Sequence, residues 1–128
     1  MLDHIGIHVR DLDRSRSFYA AALAELGITV VMEVSADQTG GVASVGFGAD
    51  GNPFFWIGNG KATTSTSHIA FTASSRALVD AFYKAAIAAG GRDNGAPGLR
   101  PHYHPAYYGA FVLDMDGNNI EAVCHKPE

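Results

Sequence analysis

The chain has 128 residues, 47% of them apolar and 17% charged, with a formal net charge of −4. That is enough for about one domain with its own core, and the absence of any Lys/Arg run argues against nucleic acid or an anionic membrane as partner. No apolar stretch approaches the roughly 18 residues that span a bilayer; the N-terminus lacks the basic and apolar regions of a signal peptide; one cysteine, Cys124, excludes an intrachain disulfide. A cytoplasmic location is the expectation.

A strand is predicted near residues 3–9, then a helix that Asp11 or Asp13 can cap. Leu12, Phe18, Tyr19, Ala22, Leu23 and Leu26 form its apolar stripe, and Gly27 stops it. Strands follow at Ile28–Ser35, Val42–Phe47 and Pro53–Gly58, separated by Asp37–Gly41 and by the turn at Asp50-Gly51. Asn59–Thr66 reads as a linker. The pattern then repeats. A shift of 64 residues puts His4-Ile5 on His68-Ile69 and Phe18-Tyr19 on Phe82-Tyr83. A shift of 66 puts Asp50-Gly51-Asn52 on Asp116-Gly117-Asn118. The second copy has a strand near 67–73, a helix capped by Ser74 or Ser75 and ended at Gly90-Gly91, and a looser stretch at Arg92–Ala106. Strands at Tyr107–Leu113 and Asn119–His125 close it. The expected fold is α+β, one domain over 1–128, built from β-α-β-β-β modules at 1–60 and 65–128.

Alternation along strands assigns faces. Ile5, Ile7 and Val9 should meet the helix, as should Ile69, Phe71 and Ala73, and Ile120, Ala122 and Cys124. His4, His68 and Glu121 then share the helix-free, concave face. Glu121 is a lone carboxylate on an otherwise apolar strand, costly to bury without a partner. Two His and one carboxylate can hold a divalent ion and leave coordination positions open. Such a donor set suits Fe, Mn, Ni, Co or Zn. The alternative is two core histidines bonded to backbone and a glutamate at a wet rim. His8 and His125, four residues beyond His4 and Glu121, are too far along their strands to share the ion and suit the rim. His102, His104, Tyr103, Tyr107 and Tyr108 crowd one Pro-rich loop with groups that can move protons or stack on a ring.

The run Asp3-His4-Ile5-Gly6-Ile7-His8-Val9-Arg10-Asp11-Leu12 through Phe18-Tyr19 resembles the opening of vicinal oxygen chelate proteins. These are the glyoxalase, bleomycin-resistance and extradiol-dioxygenase superfamily. His68-Ile69-Ala70-Phe71 and Tyr108-Gly109-Ala110-Phe111 through Glu121 resemble its second module, so the likeness spans nearly the whole chain. It implies paired β-α-β-β-β modules around a metal cavity, often completed across a homodimer, with His4, His68 and Glu121 at the metal positions. Glyoxalase I uses a fourth ligand, a carboxylate in module one. The Asp-Gly-Asn alignment puts Phe55 there, which argues against lactoylglutathione lyase activity. The Thr, the Ser-rich loop and the later Arg of fosfomycin thiol transferases have no counterparts.

The resulting expectation is a metal-dependent small-molecule enzyme, lyase-, isomerase- or dioxygenase-like, that chelates a substrate through adjacent oxygens. Tyr108 and His104 are the candidates for proton transfer. Phe55, Ile57, His102, Tyr107 and Val123 are the candidates for lining the substrate. The alternative is a non-catalytic protein that binds an antibiotic or aromatic ligand.

Overall fold

The computed structural model describes residues 1–61 and 65–128, so the predicted linker Asn59–Thr66 lies partly outside the described residues. Two four-stranded sheets carry the chain, in an α+β arrangement. The first contains β1 (Ile5–His8), β2 (Thr29–Val34), β3 (Ser44–Ala49) and β4 (Asn52–Gly58), with helices α1 (Leu12–Ala24) and α2 (Ala36–Thr39) between its strands. The second contains β5 (His68–Thr72), β6 (Arg92–Leu99), β7 (Tyr108–Leu113) and β8 (Asn119–Cys124), with α3 (Arg76–Ala88) after its first strand. The strand orders are β1-β4-β3-β2 and β5-β8-β7-β6. In both sheets the first strand runs parallel to the last, and the other pairs are antiparallel. Duplication in sequence is thus duplication in topology.

Of the candidate caps, Asp11 and Ser75 are the ones used. Asp11 accepts from the Arg14 N–H at 3.1 Å, and Ser75 from the Leu78 N–H at 3.2 Å. Each supplies an acceptor to a first-turn N–H that has no helical partner. Gly27 ends the first helix region at φ +77, a conformation that costs glycine little. Two elements differ from expectation. The turn at Asp37–Gly41 contains the short helix α2, nucleated by a Ser35–Gln38 capping box. The looser stretch from Arg92 contains β6, which pairs with β7 at both ends but shifts register around Gly95. Bulges absorb the Gly and Pro there, so the strand forms despite a sequence that reads as loop.

The helices are the meeting point of the two halves. Helix α1 packs on α3, and α3 covers β6, β7 and β8. Phe18, Tyr19, Ala22 and Leu23 of α1 join Val79, Phe82 and Ala86 of α3 in one core cluster. Its centre is a chain of rings that crosses between the halves. Tyr19 meets Phe55 edge-on at 5.0 Å, and Phe55 meets Phe71 at 5.3 Å. Burying each such side chain contributes about 1.5–3 kcal/mol, and edge-to-face geometry adds about 0.5–1.5 kcal/mol. Gly91 is packed against both halves: a Cβ there would come within 2.8 Å of Phe18 and closer still to Val112.

The turn at Asp114–Asn118 is organised by one buried carboxylate. Asp114 Oδ1 accepts from the backbone N–H of Asp116 at 2.9 Å and of Asn118 at 2.8 Å. Its Oδ2 accepts from the Asn118 amide at 2.8 Å and from the Tyr19 hydroxyl of α1. Asn118 Oδ1 in turn accepts from the Ser67 N–H at 2.8 Å, and the Asn119 N–H donates to the Ser67 carbonyl at 2.9 Å. This turn therefore sets β5 against β8, and places His68 and Glu121 relative to one another. Among the described residues no helix is long and apolar enough to cross a membrane.

Candidate metal and substrate site

Strand alternation holds where it was most needed. Ile69, Phe71 and Ala73 are buried in the core, whereas His68, Ala70 and Thr72 are exposed. Parallel pairing sets Ala70 beside Glu121. Glu121 is 1% exposed. Its Oε1 lies 2.9 Å from His68 Nε2, and its Oε2 accepts from the Tyr107 hydroxyl. Both carboxylate oxygens thus have partners, which answers the cost of burying the charge. A Cβ at residue 109 would stand 3.3 Å from Glu121 Oε2 and 3.2 Å from the Tyr107 ring, so glycine there leaves room for this contact. Burial, then the hydrogen bond to Glu121 and its negative charge, push the Tyr107 hydroxyl well above its ordinary pKa, against a smaller opposing pull from Arg100.

Tyr107 is backed by a cluster from the loop at residues 100–107. Its ring contacts His104 at 5.4 Å, His125 at 5.3 Å and Tyr103 at 4.9 Å. His102 lies tilted against Tyr103 at 4.2 Å on the exposed side. His104 Nδ1 accepts from the Ala106 N–H at 3.1 Å, so its proton sits on Nε2. That Nε2–H donates to His125 Nδ1 at 2.8 Å. The two tautomers are therefore fixed, and His125 retains its own proton on Nε2. Nothing in the sequence pairs His125 with His104, because the partners lie on different elements and only the folded loop brings them together.

His4 lies elsewhere. It is exposed, bonds Asp3 at 2.6 Å, and opens on a groove of about 810 Å³. Gly6, Val34, Phe54 and Trp56 line that groove with it, all from the first half of the chain. His68 opens instead on a cleft of about 620 Å³ between β1 and β5. Among the described residues, no three His, Cys, Asp or Glu side chains gather as a metal-holding group. A single chain thus brings His68 and Glu121 together and leaves His4 on the open face of the other sheet.

Three expected site residues are placed differently. Tyr108 points to the helix side, where its hydroxyl donates to Asp80 at 2.7 Å and Arg76 covers its ring at 5.2 Å. It cannot transfer protons at Glu121; its neighbour Tyr107 is the tyrosine that reaches the carboxylate. Phe55 and Ile57 are fully buried in the core. The register explains the difference. Ala70 pairs with Glu121 and Gly6 pairs with Trp56, so Trp56, not Phe55, is the counterpart of Glu121. The pairing of β3 with β4 shifts between Phe47 and Gly48, whereas β7 and β8 pair without a break. That bulge adds one residue to β4 and turns every later side chain to the other face. Val123, buried, stays two residues along from Glu121 on its face.

A family model described as the Glyoxalase/Bleomycin resistance protein/Dioxygenase superfamily matches residues 1–122. The chain belongs to this superfamily. Comparison with curated proteins gave no match. Among solved structures, a glyoxalase/bleomycin resistance protein from Albidiferax ferrireducens T118 is 32% identical, with 99% of each chain covered and a TM-score of 0.78. Two more distant superfamily members share the fold. One is a point mutant of FosX, a fosfomycin resistance protein from Listeria monocytogenes, in complex with Mn(II) and 1S,2S-dihydroxypropylphosphonic acid. It is 19% identical over 99% of this chain and 93% of that one, with a TM-score of 0.71. The other is glyoxalase I from Zea mays, 19% identical, with a TM-score of 0.71 over 96% of this chain and 45% of that one.

Proposed function

We propose that the chain is a metal-dependent small-molecule enzyme whose site is completed in a homodimer. His68 and Glu121 of one copy would join His4 of a second copy around one divalent ion. The observation that carries this reading is Glu121, a carboxylate 1% exposed whose Oε1 stands 2.9 Å from His68 Nε2. Ligands bound at about 2.0–2.2 Å to a common ion approach one another to roughly this separation. The donor set, imidazole and carboxylate, suits Fe, Mn, Ni, Co or Zn. His4 supplies the third position only from outside the chain, because its own groove is walled by first-half residues. The exposed face of β5, with His68, Ala70 and Thr72, is the surface left for that second copy.

When bound, the ion supplies Lewis-acid polarisation to adjacent oxygens of a substrate. The chain supplies the rest. Tyr107 fixes the Glu121 carboxylate through Oε2 and leaves Oε1 toward His68. The His104–His125 pair, in ring contact with Tyr107, is the group best placed to hold or pass a proton. His102, Val123 and Tyr107 form the substrate side, together with Phe54 and Trp56 from the groove that holds His4. Trp56 opposite Glu121 cannot ligate, which argues against lactoylglutathione lyase chemistry. The FosX complex supports a small ligand with neighbouring oxygens as the substrate class. A cytoplasmic setting is part of the same reading.

The test is metal stoichiometry after reconstitution with Mn(II), Fe(II), Co(II), Ni(II) and Zn(II). Uptake near one ion per chain, lost in Glu121→Ala and His68→Ala, is expected. Less than about a tenth of an equivalent of every metal would overturn the enzyme reading, and leave a ligand-binding protein that does no chemistry.

A further inference from the structure

Arg100 follows β6 and begins the loop that carries His102, Tyr103, His104 and Tyr107. Its guanidinium makes two contacts. Nη2 donates to the Ala96 carbonyl at 2.7 Å, and the group lies 5.5 Å over the Phe111 ring. Beneath it are two glycines. A Cβ at Gly95 would come within 3.2 Å of Nη2, and one at Gly98 within 3.1 Å of Nη1. A side chain at either position would crowd the group by a few tenths of an ångström. Among the described residues no carboxylate pairs with Arg100, and Ala96 supplies the one acceptor its guanidinium meets. A guanidinium carries several donors in a rigid fork, so most of its donors are unused.

Those donors border a cavity of about 320 Å³ lined by Asn94, His102, Tyr103, Phe111 and Asn119. The cavity adjoins the proposed site. Phe111 is the register partner of Glu121, and its ring lies 6.2 Å from that of His68. Asn119 is the register partner of His68. A cation–π clasp on Phe111 explains the stacking. It does not explain a fork of donors turned to a cavity.

We propose that this cavity takes an oxyanion, the carboxylate or phosphonate tail of a small molecule, and that Arg100 is its anchor. The planar fork matches such groups through two parallel hydrogen bonds. Joined to the function proposed above, the substrate class narrows to small anions that also carry adjacent oxygens. The anion site itself does not depend on metal.

Calorimetric titration of the full chain, metal-free and Mn(II)-loaded, with benzoate, phenylphosphonate and neutral benzamide tests this. The ring of each probe can also stack on the exposed Tyr103. Saturable binding of both anions to the metal-free protein is expected, with benzamide at least about tenfold weaker. Arg100→Gln should weaken the anions by about tenfold or more without changing Mn(II) uptake. Arg100→Lys keeps the charge, loses the fork and should fall between; it carries the test if Arg100→Gln fails to fold. Loss of metal uptake in the wild type with anion binding intact would sink the enzyme reading alone. Equal affinity for benzamide and benzoate, wild-type benzoate affinity in both Arg100 variants, or no saturable anion binding at millimolar concentration would overturn the anion site.

Discussion

Tyr107 and Glu121 show how one hydrogen bond can matter more than its own energy. The Tyr107 hydroxyl holds Oε2, which orients Oε1 toward His68. Groups that orient a ligand rather than bind the ion commonly change metal affinity ten- to a hundredfold when removed. Tyr107→Phe is therefore expected to raise the Mn(II) dissociation constant by about ten- to a hundredfold, and to lower stability by about 1–3 kcal/mol because Glu121 Oε2 loses its donor. Mn(II) titration followed by electron paramagnetic resonance measures this, and unchanged affinity would remove Tyr107 from the site. Tyr108→Phe, one residue away but bonded to Asp80 on the helix side, is the matched control.

The elements account both for what the sequence reveals and for what it hides. Period-two alternation suffices to place His68 and Glu121 on one face, because β5 and β8 pair without a break. It fails at Phe55. The bulge in β4 that reverses the faces is a property of backbone pairing, and nothing in the run Asn52–Gly58 announces it. The Arg92–Leu99 strand is hidden for a related reason: its glycines and proline fall where register shifts, and propensity yields to pairing with β7. The His104–His125 pair is a loop-to-strand contact, which spacing along the chain does not encode. The corrected register makes a direct contrast. Phe55→Ala, in the core between Tyr19 and Phe71, should cost about 3–5 kcal/mol. Trp56→Ala, on the groove wall, should cost clearly less, and urea denaturation of the two variants decides it.

Helix α1 is tied to the Asp114 turn by the Tyr19 hydroxyl. Burial, reinforced by the Asp114 charge, raises the Tyr19 pKa well above the ordinary tyrosine value. The folded state thus favours neutral tyrosine. The stability this bond contributes is complete below about pH 10, the unfolded value, and falls as pH rises beyond it. Tyr19→Phe should destabilise by about 1.5–3 kcal/mol at neutral pH. Its stability should decline less than that of the wild type above about pH 10. Parallel alkaline slopes in the two proteins would show that the bond is not the source.

At the scale of the whole molecule, the halves of one chain meet through their helices and the Tyr19–Phe55–Phe71 rings, which leaves both sheet faces open. His4 stands on one open face; His68 and Glu121 stand on the other. The proposed function therefore requires that metal ligands come from two copies. Co-expression of His4→Ala and Glu121→Ala chains under separate tags, followed by purification of the mixed dimer, tests that claim most directly. Each variant alone should bind almost no Mn(II). The mixed dimer should recover about one ion per dimer, half the wild-type value, because one of its two sites regains His4, His68 and Glu121 together. A mixed dimer that binds no more metal than either variant would contradict the account.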